Sequence, residues 1–555
     1  MQILKISSIK ANADLKVFER GENLYKNRAI SKASIQENRL TGKCAGNEMP
    51  YYDITIELDD YGVRKAECSC PFNFPGYCKH AVALLLKYVN EPDGFVVRKS
   101  ASELINSINK DELAALLTKL VQEKPDIYDW IELYSKSFES SSVVKNEAIV
   151  EVSRQTFRRI FNRIDSTSDD LSSVELSATK FLEIGDANSA VKKLLSAIED
   201  EIQEYPESSY YDEGYDSEVE NLGFLLTEAL LSLETDEERE NYEAEIDNLI
   251  DQADEYCIEG LTLPLYVANN GWAEVSGFFE DSTKDLVTAK LNVLERQNKD
   301  DEFLNLAKEK KVHFRYAAKI MELGKTDEAF EYAMNNFDST TDALSFAKLL
   351  RELNFLDESV QIAEKGVTFE GNKQSLAEWL APIEETLGNH EKALQAWQLV
   401  FAESPSLSLY QRLQIMSGKD WENLQPNLML VFKEKYYYRS ELAQILLFDE
   451  KWDEAMKLGI KENFQYGDTT EIVADGLIEH RPKWVIEISK KNFDNLVKET
   501  QSKYYPRAVS WLQKAKLAYK TLGQEAEWKH YFAEIKELYK RRPSLQSQFG
   551  KLLRD

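Results

Sequence analysis

The chain has 555 residues, with 68 Lys and Arg against 97 Asp and Glu, and only five cysteines and five histidines. That length is too great for one core and predicts two or three domains or an extended array. No apolar run is long enough to span a bilayer, so a soluble protein without membrane association is expected. The net charge of −29 is uneven: residues 1–100 hold 15 basic against 12 acidic side chains, +3, and residues 101–555 hold 53 against 85, −32.

The first ten residues contain Lys5 and Lys10 and no apolar stretch resembling a secretory leader, so a reducing, cytoplasmic setting is expected. Ile54, Ile56 and Leu58 alternate with Asp53, Thr55, Glu57 and Asp59, the pattern of a half-buried strand. Asp60-Tyr61-Gly62 supplies turn chemistry, and a second strand is expected over 63–70. Pro71, Pro75 and Gly76 then break regular structure. From His80 onward, Val82, Leu85, Leu86 and Val89 recur at helical spacing and form an apolar stripe that can cover the hairpin.

Within this strand–loop–helix unit, Cys68, Cys70, Cys78 and His80 fall inside 13 residues. Three thiolates and one imidazole make a closed tetrahedral set for one structural Zn²⁺, with no open position for substrate. Cys68 and Cys70, two apart on an extended strand, point to one side. Two helical residues at the same separation would diverge, so Cys78 is expected to precede the helix that begins near His80. A disulfide among these cysteines is the other reading; the reducing compartment argues against it. Cys44, on the strand face of Leu40, and Cys257, in a helical stretch, read as small buried residues.

Cys-x-Cys, a variable loop and Cys-x-His resemble the signature of the SWIM-type zinc fingers. Phe18-Glu19-Arg20-Gly21 with Tyr25, Arg39-Leu40-Thr41-Gly42 and the strand over 51–58 look like the N-terminal portion of bacterial SWIM-domain proteins. The resemblance covers roughly residues 16–90. It implies association with DNA-linked proteins, including helicase-like ATPases of the chromatin-remodelling type.

Beyond residue 100, Gly and Pro are sparse and apolar residues recur at helical spacing. Residues 101–280 are expected to be helical with little regular period, interrupted by an acidic, Tyr-rich solvated loop over 206–220 and a connection over 260–281. In 281–555 a phrase recurs. Leu323-Gly324-Lys325-Thr326-Asp327-Glu328-Ala329, Leu353-Asn354-Phe355-Leu356-Asp357-Glu358-Ser359 and Leu387-Gly388-Asn389-His390-Glu391-Lys392-Ala393 begin 30 and 34 residues apart. A weaker copy ends at Trp452-Asp453-Glu454-Ala455, and Ile184-Gly185-Asp186-Ala187-Asn188-Ser189-Ala190 is an earlier one. Each reads as a helix end, a tight turn and a new helix whose small residue admits close approach of its neighbour. This resembles a tetratricopeptide-type helical hairpin repeat. Tyr504-Tyr505-Pro506-Arg507 and the following stretch to Arg542 resemble the closing helices of bacterial proteins that pair a SWIM finger with a helical tail. Lys529, Lys536, Lys540, Arg541 and Arg542 are read as a solvated basic face there, with nucleic-acid contact as the alternative.

The expected fold is mainly α: a small α+β zinc-finger domain at the N-terminus followed by a long α-helical hairpin-repeat, solenoid-like array, with domains over 1–100, 101–280 and 281–555. No phosphate-binding, dinucleotide, metalloprotease or nucleophile-elbow motif occurs, and His313, His390, His480 and His530 are scattered, so no enzyme and no small-molecule substrate are expected. Two roles remain. In the first, the protein is a scaffold that holds protein partners through its array. In the second, the finger contacts DNA through Arg64, Lys65, Lys79 and Lys87. A finger at +3 attached to a region at −32 is a weak electrostatic match to phosphate, so the scaffold reading leads.

Overall fold

The computed structural model describes residues 4–46, 49–72, 76–123, 173–204, 213–273, 280–435, 437–460, 469–498 and 501–552. Contacts divide it into two compact units, one formed by Met1–Leu104 with Asn372–Asp555 and the other by Ile105–Gly371.

The N-terminal part opens with α1 (Ile6–Ala11) and α2 (Leu15–Lys26), then runs through β1 (Ile30–Gln36), β2 (Arg39–Ala45), β3 (Tyr51–Asp59), β4 (Gly62–Cys68), α3 (Lys79–Asn90) and β5 (Val96–Val97). The strands form one sheet in the order β4-β3-β2-β1-β5, antiparallel except for the β1–β5 pair. Alternation on β3 works as predicted: Ile54, Ile56 and Leu58 are buried, while Asp53, Thr55 and Glu57 are not. Helix α3 packs across this sheet and against α2, which explains why more than one stripe of it is covered. Residues His80 through Leu86 are all buried. Close approach of the two helices depends on Gly21, where a Cβ would lie 2.6 Å from Val82. Cys44 is fully buried beside Leu40, as expected.

Each of the five predicted hairpin turns has one geometry. A residue with φ between 57° and 83° follows the first helix at Gly185, Gly324, Asn354, Gly388 and Glu450. The next amide reaches back to the carbonyl five residues earlier: Asp186 to Phe181, Lys325 to Ile320, Phe355 to Leu350, Asn389 to Glu384 and Lys451 to Leu446, at 2.8–3.2 Å. This left-handed cap satisfies the carbonyls at the helix end and reverses the chain. The small residues expected to admit close packing, Ala190, Ala329, Ser359, Ala393 and Ala455, are all fully buried. Thus His313–Glu322 pairs with Thr326–Asn336, Thr340–Glu352 with Leu356–Gly366, and Gln374–Leu387 with His390–Glu403. The same cap recurs at Asn298, Lys311 and Gly523, so the helical hairpin is more frequent than the sequence phrase. The observed architecture is therefore mainly α, a small α+β domain followed by helical hairpins.

Three expectations are corrected. The connection over 260–281 contains the helix Thr262–Asn270: Pro264 sits in its first turn, where no intrahelical donor is needed, and is buried. Of the loop over 206–220, residues 206–212 lie outside the described residues, whereas 213–220 open the helix Glu213–Leu231, with Val219 buried. Cys257 is exposed, because helix Glu243–Asp254 has ended and Cys257 occupies its left-handed turn at φ 59° while Ile258 takes the buried position. No described helix is long and apolar enough to cross a membrane.

Candidate metal centre

Strand β4 brings Cys68 opposite Ile54 and stops there. The expected continuation to residue 70 is replaced by a bend: the Ser69 amide donates to the Asp53 carbonyl at 3.0 Å and its hydroxyl accepts from the Asp53 amide at 2.9 Å. Cys70 is therefore turned toward Cys68 by this bend rather than by strand alternation. Cys78 precedes α3 as predicted, with extended backbone angles (φ −71°, ψ 162°), and its Sγ accepts from the Ala81 amide at 3.4 Å. A sulfur at a helix N-terminus meets unpaired amides and the positive end of the helix dipole, both of which favour thiolate. His80 follows on the first turn, buried, with the Tyr52 ring 4.7 Å from its own.

The candidate ligand atoms of Cys68, Cys70, Cys78 and His80 all lie within 4.8 Å of one another. Cys68 Sγ and His80 Nδ1 are 3.7 Å apart. A tetrahedral zinc with bonds of ~2.3 Å to sulfur and ~2.1 Å to nitrogen needs roughly 3.6 Å along that edge. The donor set and its spacing thus fit zinc. The electrostatics agree. A hydrogen bond from the Cys68 thiol holds Cys78 down at about 4, and the same bond pushes Cys68 up. Burial pushes Cys70 up, and pushes the neighbouring Cys44 to about 11. Negative charge therefore collects on the sulfur nearest the helix end, and a divalent cation is the natural partner of three converging sulfurs. Among the described residues, no other group of three or more His, Cys, Asp and Glu could hold a metal.

The remaining histidines are separate. His313 bonds the Tyr332 hydroxyl at 2.9 Å, His480 stacks on Trp452 at 4.0 Å, and His530 lies beside Glu534 at 3.3 Å. In the C-terminal basic segment, Lys540 pairs with Glu537, and Arg542 donates to the Val497 carbonyl at 2.8 Å. Around the finger, Arg64 pairs with Glu57 at 2.6 Å, Lys65 with Glu67 at 2.5 Å, Lys87 with Glu91 at 3.1 Å and Lys43 with Asp53 at 2.9 Å. The Tyr52 cover of His80 escaped sequence reading; its place on the Ile54 face of β3 was the available signal.

Comparison with known proteins gives the site a family. The SWIM zinc finger model matches residues 52–89. A SWIM domain-containing protein 8 homolog of Drosophila melanogaster is 25% identical over 124 residues, covering 22% of this chain and 6% of that protein. An uncharacterised protein of Methanocaldococcus jannaschii is 30% identical over 115 residues, covering 20% of this chain and 46% of that protein. This chain thus spans less than half the length of either relative. A structure of a human IFIT1 dimer with PPP-AAAA covers 70% of this chain and 99% of that one at 14% identity, with a TM-score of 0.19, too low a superposition to carry fold or function. Sequence match and side-chain geometry converge on one statement: the chain carries a SWIM zinc finger over residues 52–89, whose Cys68, Cys70, Cys78 and His80 form a cluster able to bind a zinc ion.

Proposed function

We propose that this protein is a zinc-stabilised interaction scaffold of the cytoplasm, without catalytic activity, whose helical hairpins hold protein partners. The observation that carries the reading is the closed donor set. Four strong ligands fill a tetrahedral ion and leave no position for water or substrate, so the metal holds β4 to α3 and does no chemistry. The hairpins add apolar cores and an acidic exterior suited to basic or amphipathic partners.

The nucleic-acid reading is weaker on electrostatic grounds. Three of the four basic residues nominated for it, Arg64, Lys65 and Lys87, are within 2.5–3.1 Å of a carboxylate on their own surface. Such neutralised cations release few counterions on meeting phosphate. Electrophoretic titration of the full chain with duplex and single-stranded DNA across a salt series tests the choice. We expect no binding at low salt; tight, steeply salt-dependent binding lost in Lys79→Glu would reverse it.

A further inference from the structure

We infer that zinc binding in the finger is linked to docking of the finger domain on the helix Gln374–Leu387, through α1 and the single residue Thr386. The inference rests on the zinc reading above and adds a second state to it.

The loop that leads into Cys78 is held from outside the matched finger. The Tyr77 amide donates to the Asn12 carbonyl at 2.5 Å. Gly76, at φ +89°, is pressed so close that a Cβ there would lie 2.6 Å from that same oxygen. Asn12 caps α1, and its side-chain amide donates back to the Ser8 carbonyl at 3.1 Å. The metal loop and α1 therefore form one clamp, in which Ile9 is fully buried in the finger core.

The other side of α1 meets the helix Gln374–Leu387. Ser8 Oγ lies 3.3 Å from Thr386 Oγ1, a buried contact between residues 378 apart. Thr386 donates its own hydroxyl proton to the Pro382 carbonyl at 2.9 Å, so Ser8 is the donor and Thr386 the acceptor. The β3–β4 turn reaches the same residue: a Cβ at Gly62 would lie 3.4 Å from Thr386 Oγ1. Next to it, Glu385 Oε1 accepts from Trp397 Nε1 at 2.6 Å and from Arg412 Nη2 at 2.7 Å, which fixes the end of the helix to the two that follow. Two parts of the finger domain thus converge on one residue of a rigidly anchored helix end. The element with two states is this contact, docked or undocked. A metal that orders the Gly76–Cys78 loop favours the docked state, and docking must then raise zinc affinity by the same factor.

The test uses the full chain. Zinc affinity is measured by competition with a chromophoric chelator for wild type, Thr386→Lys and the near-isosteric Thr386→Val. Hydrogen exchange is followed at residues 384–389 with and without zinc. We expect Thr386→Lys to bind one zinc with affinity lowered roughly five- to tenfold, and Thr386→Val to fall in between. We also expect chelation to speed exchange at 384–389 in wild type and to have no added effect in Thr386→Lys. Should Thr386→Lys unfold the helices, seen as lost ellipticity, Thr386→Val carries the comparison. Equal zinc affinity in the folded variants overturns the linkage while leaving the metal reading in place. Wild-type protein that takes up no zinc overturns both.

Discussion

In the N-terminal domain, Cys68, Cys70, Cys78 and His80 arrive from a strand end, a bend and a helix start and meet at one point. Hairpins such as His313–Asn336 close along a line. A left-handed residue turns the chain, and Ala329 and Ala333, both fully buried, let two helices close along their length. The first region concentrates its stability in one set of donors; the second spreads it over many small contacts, each supported by its neighbour. Damage should therefore be all-or-none in the finger and graded in the hairpins.

The largest expected effect follows from metal removal. Zinc contributes ~10–16 kcal/mol in zinc-finger peptides, comparable to or above the ~5–15 kcal/mol by which whole domains are stable. Chelation, or Cys78→Ser, should abolish amide protection in β3, β4 and α3 while helix Thr326–Asn336 keeps its own, as read by hydrogen exchange with mass spectrometry. Equal loss in both regions would erase the distinction. The same removal should change thiol reactivity. With zinc bound, alkylation should modify exposed Cys257 alone; after chelation Cys68, Cys70 and Cys78 should join it, and so should Cys44, because the core whose burial holds its thiol near 11 opens with β3 and α3. Peptide mapping with fragment sequencing reads the five sites separately.

Smaller effects probe the hairpins. Ala329→Leu inserts three carbons where the helices touch and should destabilise by ~1–3 kcal/mol, seen as a lower denaturation midpoint with zinc content unchanged. Smallest is Glu450→Gly. Glu450 holds φ 57° in a hairpin turn, a conformation that strains a side-chain-bearing residue, so glycine should raise stability by about 1 kcal/mol or less. A lower midpoint for Glu450→Gly would contradict the turn argument.

Much of this was legible before any coordinates. The donor spacing announced the metal cluster because so few other Cys and His compete with it. Gly324 and Gly388 announced two turns because glycine takes left-handed angles freely. Lys311 makes the same turn and was silent, since lysine does not advertise it; Asn298 makes it too, with the left-handed tolerance of asparagine but outside the recurring phrase. Pro264 and the Asn-Asn-Gly run hid the helix Thr262–Asn270, although a proline in a first turn and a glycine after the last are compatible with a helix. Cys70 lies in the donor cluster, but not by strand alternation, since a Ser69–Asp53 exchange ends the strand first. Nothing local marks Thr386 as a partner of Ser8: 378 residues separate them, and only tertiary packing brings them together.

The central claim is that one zinc ion, saturated by protein ligands, holds the N-terminal domain together. Zinc K-edge absorption on the purified full chain, with elemental analysis of the same sample, tests it most directly. The account predicts one zinc per chain in a shell of three sulfurs at ~2.3 Å and one nitrogen at ~2.0–2.1 Å. Substoichiometric metal, or a shell containing a water oxygen in place of a sulfur, would contradict it.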